Sequence, residues 1–462
     1  MLKIWMLRQA RLLLENSKRY IMAKEKVNNK EMDAIYTLNG KINPLKAFPF
    51  GLQHILAMFV ANITPIIIVA GASGLSTKDA SMLLQSAMII AGIGTLIQLF
   101  PLWKVGSGLP IVMGISFTFV SLACTVGAQY GYGTIIGSVL IGGLVEGVLG
   151  LFAKFWIKIV SPIVAATVVT AIGFSLLSVG AQSFGGGSGV DNFGAVEHWI
   201  LGMVTLVSCI LFNIFAKGFL KQLSVLFGLV VGYILALFMG MVDFSAFKDV
   251  SVISLPHILP FKPEFNINAI IAFVLIFMVS ATETIGDTSA LASSGLNRDA
   301  TTKETSGSIA CDGFVSSLSS VFGCLPITSF SQNVGLVAMT KVVNKYAIAT
   351  GAGIMILAGF FPYIGTLLAT LPSAVLGGCT VMMFGTIVIS GVQMIGKCGF
   401  SQRNITIAAL SLSVGLGFTQ CPEIFDIFPT LVKTVFAENC VALVFVTAII
   451  LNLILPKNME QQ

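Results

Sequence analysis

The sequence predicts an all-α polytopic membrane protein with fourteen spans, arranged as two inverted repeats of seven. Three observations predict it: an apolar composition, a lopsided distribution of Lys and Arg, and two short, interrupted apolar segments at matching positions. Of 462 residues, 56% are hydrophobic and 10% charged, whereas soluble domains carry about 25% charged residues. With a mean hydropathy of +0.94, the chain cannot cover itself with polar surface in water, and the bilayer is the solvent that accommodates it. The 47 glycines agree, because small residues let membrane helices approach closely.

Apolar runs of roughly 17–25 residues mark the spans. They lie near 50–71, 80–102, 109–124, 131–153, 159–182, 196–216, 222–242, 268–294, 304–323, 326–340, 345–369, 373–396, 403–419 and 439–456. The third and tenth are too short to cross as complete helices. Residues 1–46 form a basic tail with ten Lys/Arg against four Asp/Glu. No apolar h-region or small-residue cleavage site precedes Pro44, so this reads as a cytoplasmic tail and not a signal peptide. Its stretch from Met1 to Arg19 mixes apolar and basic residues at loosely helical spacing, which fits a solvated cytoplasmic extension or a segment lying on the membrane surface. The first repeat then occupies 47–242, an extracellular connection 243–267, the second repeat 268–457 and a C-terminal tail 458–462.

Charge tests the span order independently. With the tail inside and sides alternating, 22 Lys/Arg fall inside and only Lys78, Lys248, Lys262 and Lys433 outside. This is the positive-inside asymmetry of a plasma-membrane protein with both termini cytoplasmic.

Eight cysteines stand scattered with no C-x-x-C pair, and His54, His198 and His257 share no metal-ligand spacing. The cysteines read as small buried hydrophobes, and neither a metal nor a cofactor is expected. Apart from Glu197 and Glu304 at the very start of two spans, four acids fall inside spans: Glu146, Glu283, Asp287 and Asp312. A charge at mid-bilayer costs about 2.5–3.5 kcal/mol on insertion scales, so such residues pair or serve function. Glu146 reads as structural and near a helix end, and Asp312 as a brace for a neighbouring broken helix. Glu283 and Asp287, four residues apart, share one helix face.

The two halves repeat weakly. Gly108-Leu109-Pro110-Ile111 opens span three and Cys324-Leu325-Pro326-Ile327 opens span ten; Ser161-Pro162 and Leu371-Pro372-Ser373 precede spans five and twelve. Seven spans per half is odd, so the halves are inverted. Short, Gly/Pro-interrupted segments at matching positions of inverted halves point to a transporter site, because non-helical backbone at membrane depth must be buried or line a cavity. Beside the breaks stand Gln53 and His54 in span one, Glu283 and Asp287 in span eight, and Gln332 and Asn333 in span ten. A carboxylate accepts from ring N–H groups and a carboxamide both donates and accepts, which suits a flat heterocycle. Phe117 and Phe330 offer stacking faces.

The run Gln332-Asn333-Val334-Gly335-Leu336-Val337-Ala338-Met339-Thr340-Lys341 resembles the signature of the nucleobase–ascorbate transporter family. Gln53-His54 resembles a second motif of that family, and Glu283-Thr284-Ile285-Gly286-Asp287 its span-eight motif. The resemblance covers roughly 47–457. It implies a core domain of spans 1–4 and 8–11 and a gate domain of 5–7 and 12–14, with short antiparallel strands in spans three and ten. It also implies a homodimer, proton symport and an elevator movement of core against gate. By position, Glu283 and Gln332 would bind opposite edges of the substrate, with Phe117 contributing backbone and ring. Asp287, Asn333, His54, Gln53, Asp312 and Thr340 would support the site or the coupling proton.

Uracil carriers of the family tend to carry Glu and His where this chain has Gln332 and Asp287, so the chain resembles the xanthine and urate branch, with uracil as the alternative. The residues leave sodium open as the coupling ion. A sulfate or bicarbonate carrier would want positive charge at the midplane, where this chain has acids and amides. A channel would want a ring of pore charges. An embedded enzyme would want a catalytic motif, and HExxH, GxSxG and phosphate loops are all missing. Nucleic acid is not an expected partner.

Overall fold

The computed structural model describes residues 34–156, 160–187, 189–248, 250–456 and 459. Most of the basic tail, including the stretch from Met1 to Arg19, lies outside them.

Helix α1 (Pro44–Ala72) starts six residues before the apolar run, because Asn43 caps it and Pro44 occupies its first turn. Helix α2 (Thr77–Leu99) opens on a capping box formed by Ser76 and Asp79. Span three is strand β1 (Met113–Ile115), a 3₁₀ turn over Phe117–Phe119 and a half-length helix α3 (Val120–Tyr130). Four helices complete the first half: α4 (Tyr132–Leu151), α5 (Pro162–Phe184), α6 (Val196–Phe215) and α7 (Ser224–Phe238).

The second half repeats the plan. Helix α8 (Ile267–Leu296) ends on left-handed Asn297, and α9 (Thr302–Val321) opens on a Thr301/Glu304 capping box. Strand β2 (Ile327–Ser329) leads into the half-helix α10 (Ser331–Thr340). Helices α11 (Lys345–Gly359), α12 (Pro362–Ala369), α13 (Ser373–Cys398), α14 (Gln402–Thr419) and α15 (Cys440–Ile454) follow.

Among the described residues, seven helices are long and apolar enough to cross a membrane, and α11 with α12 makes an eighth as a bent pair. The chain is a multi-pass, mostly helical membrane protein. The even run expected over 345–369 is interrupted: α12 leaves α11 at 81°, because Pro362 disfavours helical backbone at Phe361. Helix α9 carries Glu304, Asp312 and six serines and is not among these apolar helices, yet most of it is buried. It packs along α4, where Gly143, Gly147 and Gly150 meet Gly313, Phe314 and Ala310 without room for a Cβ.

Two packed groups emerge. One joins α1, α2, α4, α8, α9 and α11, with α12 lying along α2; the other joins α5, α6, α7, α13, α14 and α15. Helix α6 exposes an apolar face including Trp199, Met203 and Phe215, as a lipid-facing helix does.

Residues 34–43, read from sequence as part of the tail, are built into the first group. Ile35 is fully buried in a cluster with Ala47, Val342 and Ala347. The Asn344 side chain donates toward the carbonyls of Ala34 (2.9 Å), Thr37 (3.2 Å) and Gly40 (2.7 Å). Its Oδ1 meanwhile caps α11 at the amides of Tyr346 and Ala347.

Candidate functional site

The site is organised by a two-stranded antiparallel sheet. Met113 pairs with Ser329, Gly114 with Thr328 and Ile115 with Ile327. A lone strand pair buried in a membrane protein leaves outward-facing N–H groups that water cannot reach. Side chains satisfy them. On β1, Met113 N donates to Thr95 (3.0 Å) and Ile115 N to Asn62 (2.7 Å). On β2, Ile327 N donates to Ser316 (3.1 Å) and Ser329 N to Asp312 (2.9 Å). Asp312 accepts further from Ser329 Oγ, Thr284 Oγ1 (2.7 Å) and Gln98 Nε2 (3.1 Å). It stands behind the strands and ties β2 to α8 and α2.

Both half-helices leave this sheet, so the unspent N–H groups of their first turns lie beside the strands. In front lies a cavity of about 280 Å³ lined by Ser116, Phe117, Glu283, Phe330, Ser331 and Gln332, among others. The opposite wall comes from the second helical group: Val169 and Ile172 of α5, Thr386, Ile387 and Ser390 of α13. The site therefore sits where the two groups meet.

Glu283 is held by Thr118, whose hydroxyl donates to Oε2 at 2.7 Å. Ser331 stands between the two acids, 2.7 Å from Asp287 Oδ2 and 3.4 Å from Glu283 Oε1. Phe117 packs edge-on against Phe384 of α13 with centroids 5.4 Å apart. The Phe330 ring lies against Gly114, where a Cβ would come within 2.9 Å of it.

Of the residues singled out from sequence, Glu283, Gln332, Phe117 and Phe330 line the cavity, and Asp287 reaches it through Ser331. His54 and Asn333 lie behind it. His54 is buried, with its Nδ1 3.2 Å from Asn333 Nδ2, and the pair fastens α1 to α10. Gln53 is not among the lining residues. Thr340 is remote: it closes the far end of α10, bonding to Leu336 O, where Lys341 turns left-handed and reaches Ser294 O. Glu146 is fully buried in α4, five residues before its C-terminal end.

Sequence reasoning passed over Thr118, Ser331, Gln98 and the α13 pair Thr386/Ser390. The last two had a signal, hydroxyls four residues apart and so on one face of their helix. Gln98 had one too, as an amide within an apolar run.

A family model described as Permease family, Xan_ur_permease, matches residues 45–424. The chain belongs to the nucleobase–ascorbate transporter family. Permeases of this family include the xanthine permease XanQ of Escherichia coli (strain K12), 34% identical over 94% of this chain and 97% of that one. The uric acid permease PucK of Bacillus subtilis (strain 168) is 34% identical over 83% of this chain and 90% of that one. Among solved structures, the transmembrane domain of the cyanobacterial bicarbonate transporter BicA superposes with a TM-score of 0.55 at 17% identity. That match covers 80% of this chain and 96% of the BicA domain, and at such identity it speaks for the fold alone. The nucleobase–ascorbate permease described here is a membrane transporter and not an enzyme.

Proposed function

We propose that this permease imports an oxidised purine, xanthine or urate, by proton symport across the plasma membrane, with both termini cytoplasmic. One observation carries the reading: Glu283 and Gln332 face the same cavity in front of a buried strand pair. A carboxylate there accepts from ring N–H groups, and an amide meets the mixed donor and acceptor edge of a dioxopurine. The names of the relatives, xanthine and uric acid permeases, support the same substrate class. The bicarbonate transporter of like fold raises the anion alternative. Glu283 is the charged residue lining this cavity, which disfavours a small inorganic anion such as bicarbonate that offers no ring N–H groups to the carboxylate.

In this reading the α1–α4 and α8–α11 group is the core and the α5–α7 and α13–α15 group the gate. The core carries the strands, Glu283 and Gln332, and slides against Val169, Ile172 and Thr386 of the gate. A proton from the outer water binds one acid of the Glu283/Asp287 pair and leaves to the inner water, so one of the two buried charges is neutralised for the crossing. Asp312, Asn333 and His54 hold the site, and the working unit is a homodimer.

The test is uptake of labelled xanthine into purine-transport-deficient cells, with unlabelled urate, uracil and hypoxanthine as competitors and a protonophore control. Protonophore-sensitive uptake blocked by urate and not by uracil is expected, and Glu283→Gln should abolish accumulation. Displacement by uracil alone would reject the purine assignment. Accumulation that survives Glu283→Gln would reject the role of that acid.

A further inference from the structure

A second cavity of about 280 Å³ lies beside the first, between Leu56–Ala61 of α1, the α6–α7 turn and α13. Gln332 and Thr386 line both cavities and so form the partition between them. The two differ in sign: Glu283 is the charged residue lining the first, and Lys221, helped by Asn213 and Gln222, the charged residue lining the second. Lys221 sits on the short helix Phe219–Gln222 joining α6 to α7, on the Lys/Arg-rich side that the positive-inside rule makes cytoplasmic. Toward the opposite side, the same seam between the groups holds only about 40 Å³, around Ile67, Gly71, Gln182 and Ser373. The space along the seam is therefore larger toward the Lys/Arg-rich side, where the exposed Lys221 is the charged residue of its lining.

We infer that this inner chamber is a second ligand station, in which Lys221 takes the monoanion of an oxopurine as it leaves the acidic site past Gln332 and Thr386. The inference rests on the purine reading above. Oxopurines are N–H acids: a neutral ring donates its N–H to Glu283, whereas beside an ammonium the anion is favoured. On passage the ring N–H bond breaks and the proton goes to cytoplasmic water. The negative charge stays on the ring and pairs with Lys221, while Asn213 and Gln222 offer amide donors. Such a sequence gives release a direction, since the anion is repelled from Glu283 behind it.

The test is counterflow with the full-length protein in inside-out and right-side-out vesicles at pH 6.5, where urate is anionic and xanthine largely neutral. Each purine is measured as substrate or as competitor. Lys221→Gln should raise half-saturating urate about tenfold at the cytoplasmic face and leave it unchanged at the outer face, the effect of one charge-assisted contact. Lys221→Arg should restore the value. An unchanged value, or an equal rise at both faces, would overturn the station while leaving the purine reading standing. A wild-type protein that takes neither purine would instead sink that reading.

Discussion

Replacing Ser331 with Ala should uncouple transport more than it weakens binding. A hydroxyl carries one hydrogen, and Ser331 Oγ faces Asp287 at 2.7 Å and Glu283 at 3.4 Å. With both acids ionised it can donate to one of them, and the shorter contact selects Asp287. When Asp287 takes a proton, it can donate to Ser331 Oγ, and the serine hydrogen is free to turn toward Glu283. On the proposed proton coupling, Ser331 would report the protonation of one acid to the other. Thr118, at 2.7 Å from Oε2, keeps Glu283 in place throughout. Removing the Ser331 hydroxyl forfeits one hydrogen bond to a charged group, about 1.5–3 kcal/mol. That corresponds to roughly 10- to 150-fold in an equilibrium. The assay is accumulation of labelled xanthine in proteoliposomes under an imposed pH gradient, beside equilibrium exchange without one. Ser331→Ala should cut driven accumulation by about tenfold or more and exchange by much less, with Ser331→Thr restoring it. Wild-type accumulation in Ser331→Ala would refute the relay argument.

Three further outcomes are expected. Asp312→Asn puts an amide donor against the Ser329 amide, the Ser329 and Thr284 hydroxyls and Gln98. It should cost at least ~2 kcal/mol, read as a clear fall in the melting temperature of detergent-solubilised protein that Glu283→Gln does not share. Gly114→Ala places a methyl 2.6 Å from Met58 Cε and 2.9 Å from both Asn62 Oδ1 and the Phe330 ring. Overpacking of this kind costs about 1–3 kcal/mol, so xanthine affinity and thermal stability should both drop in a binding and melting assay. Asn344→Ala removes the donor that holds Ala34, Thr37 and Gly40. Tryptic cleavage after Lys41 should quicken about tenfold, as local opening loses roughly 1.4 kcal/mol of protection, and an unchanged cleavage rate would count against the clasp.

Much of this protein was legible in the chain itself, because the bilayer imposes constraints that act locally. A residue run either is or is not apolar enough to cross, and a Lys either is or is not retained inside; each decision needs only its neighbours in sequence. The buried acids were visible for the same reason. Glu283 and Asp287 are anomalies within an apolar helix, and their spacing alone puts them on one face. The breaks at Pro110 and Pro326 marked the site because irregular backbone at membrane depth has to be sheltered.

What the tertiary structure decided are the partnerships between residues far apart in the chain. Thr95, Asn62, Ser316 and Asp312 complete the strand edges from three different helices, and of the four only Asp312 stood out in sequence as a brace. Thr118 reaches Glu283 across 165 positions, and Thr386 reaches the cavity only because α13 packs where the two helical groups meet. The same holds for Ile35 and Asn344, which turn part of an apparent tail into structure. Hydropathy is a property of a segment and can be read from one. A hydrogen bond or a cavity wall is a property of a pair of surfaces, and it exists only once the chain has brought them together.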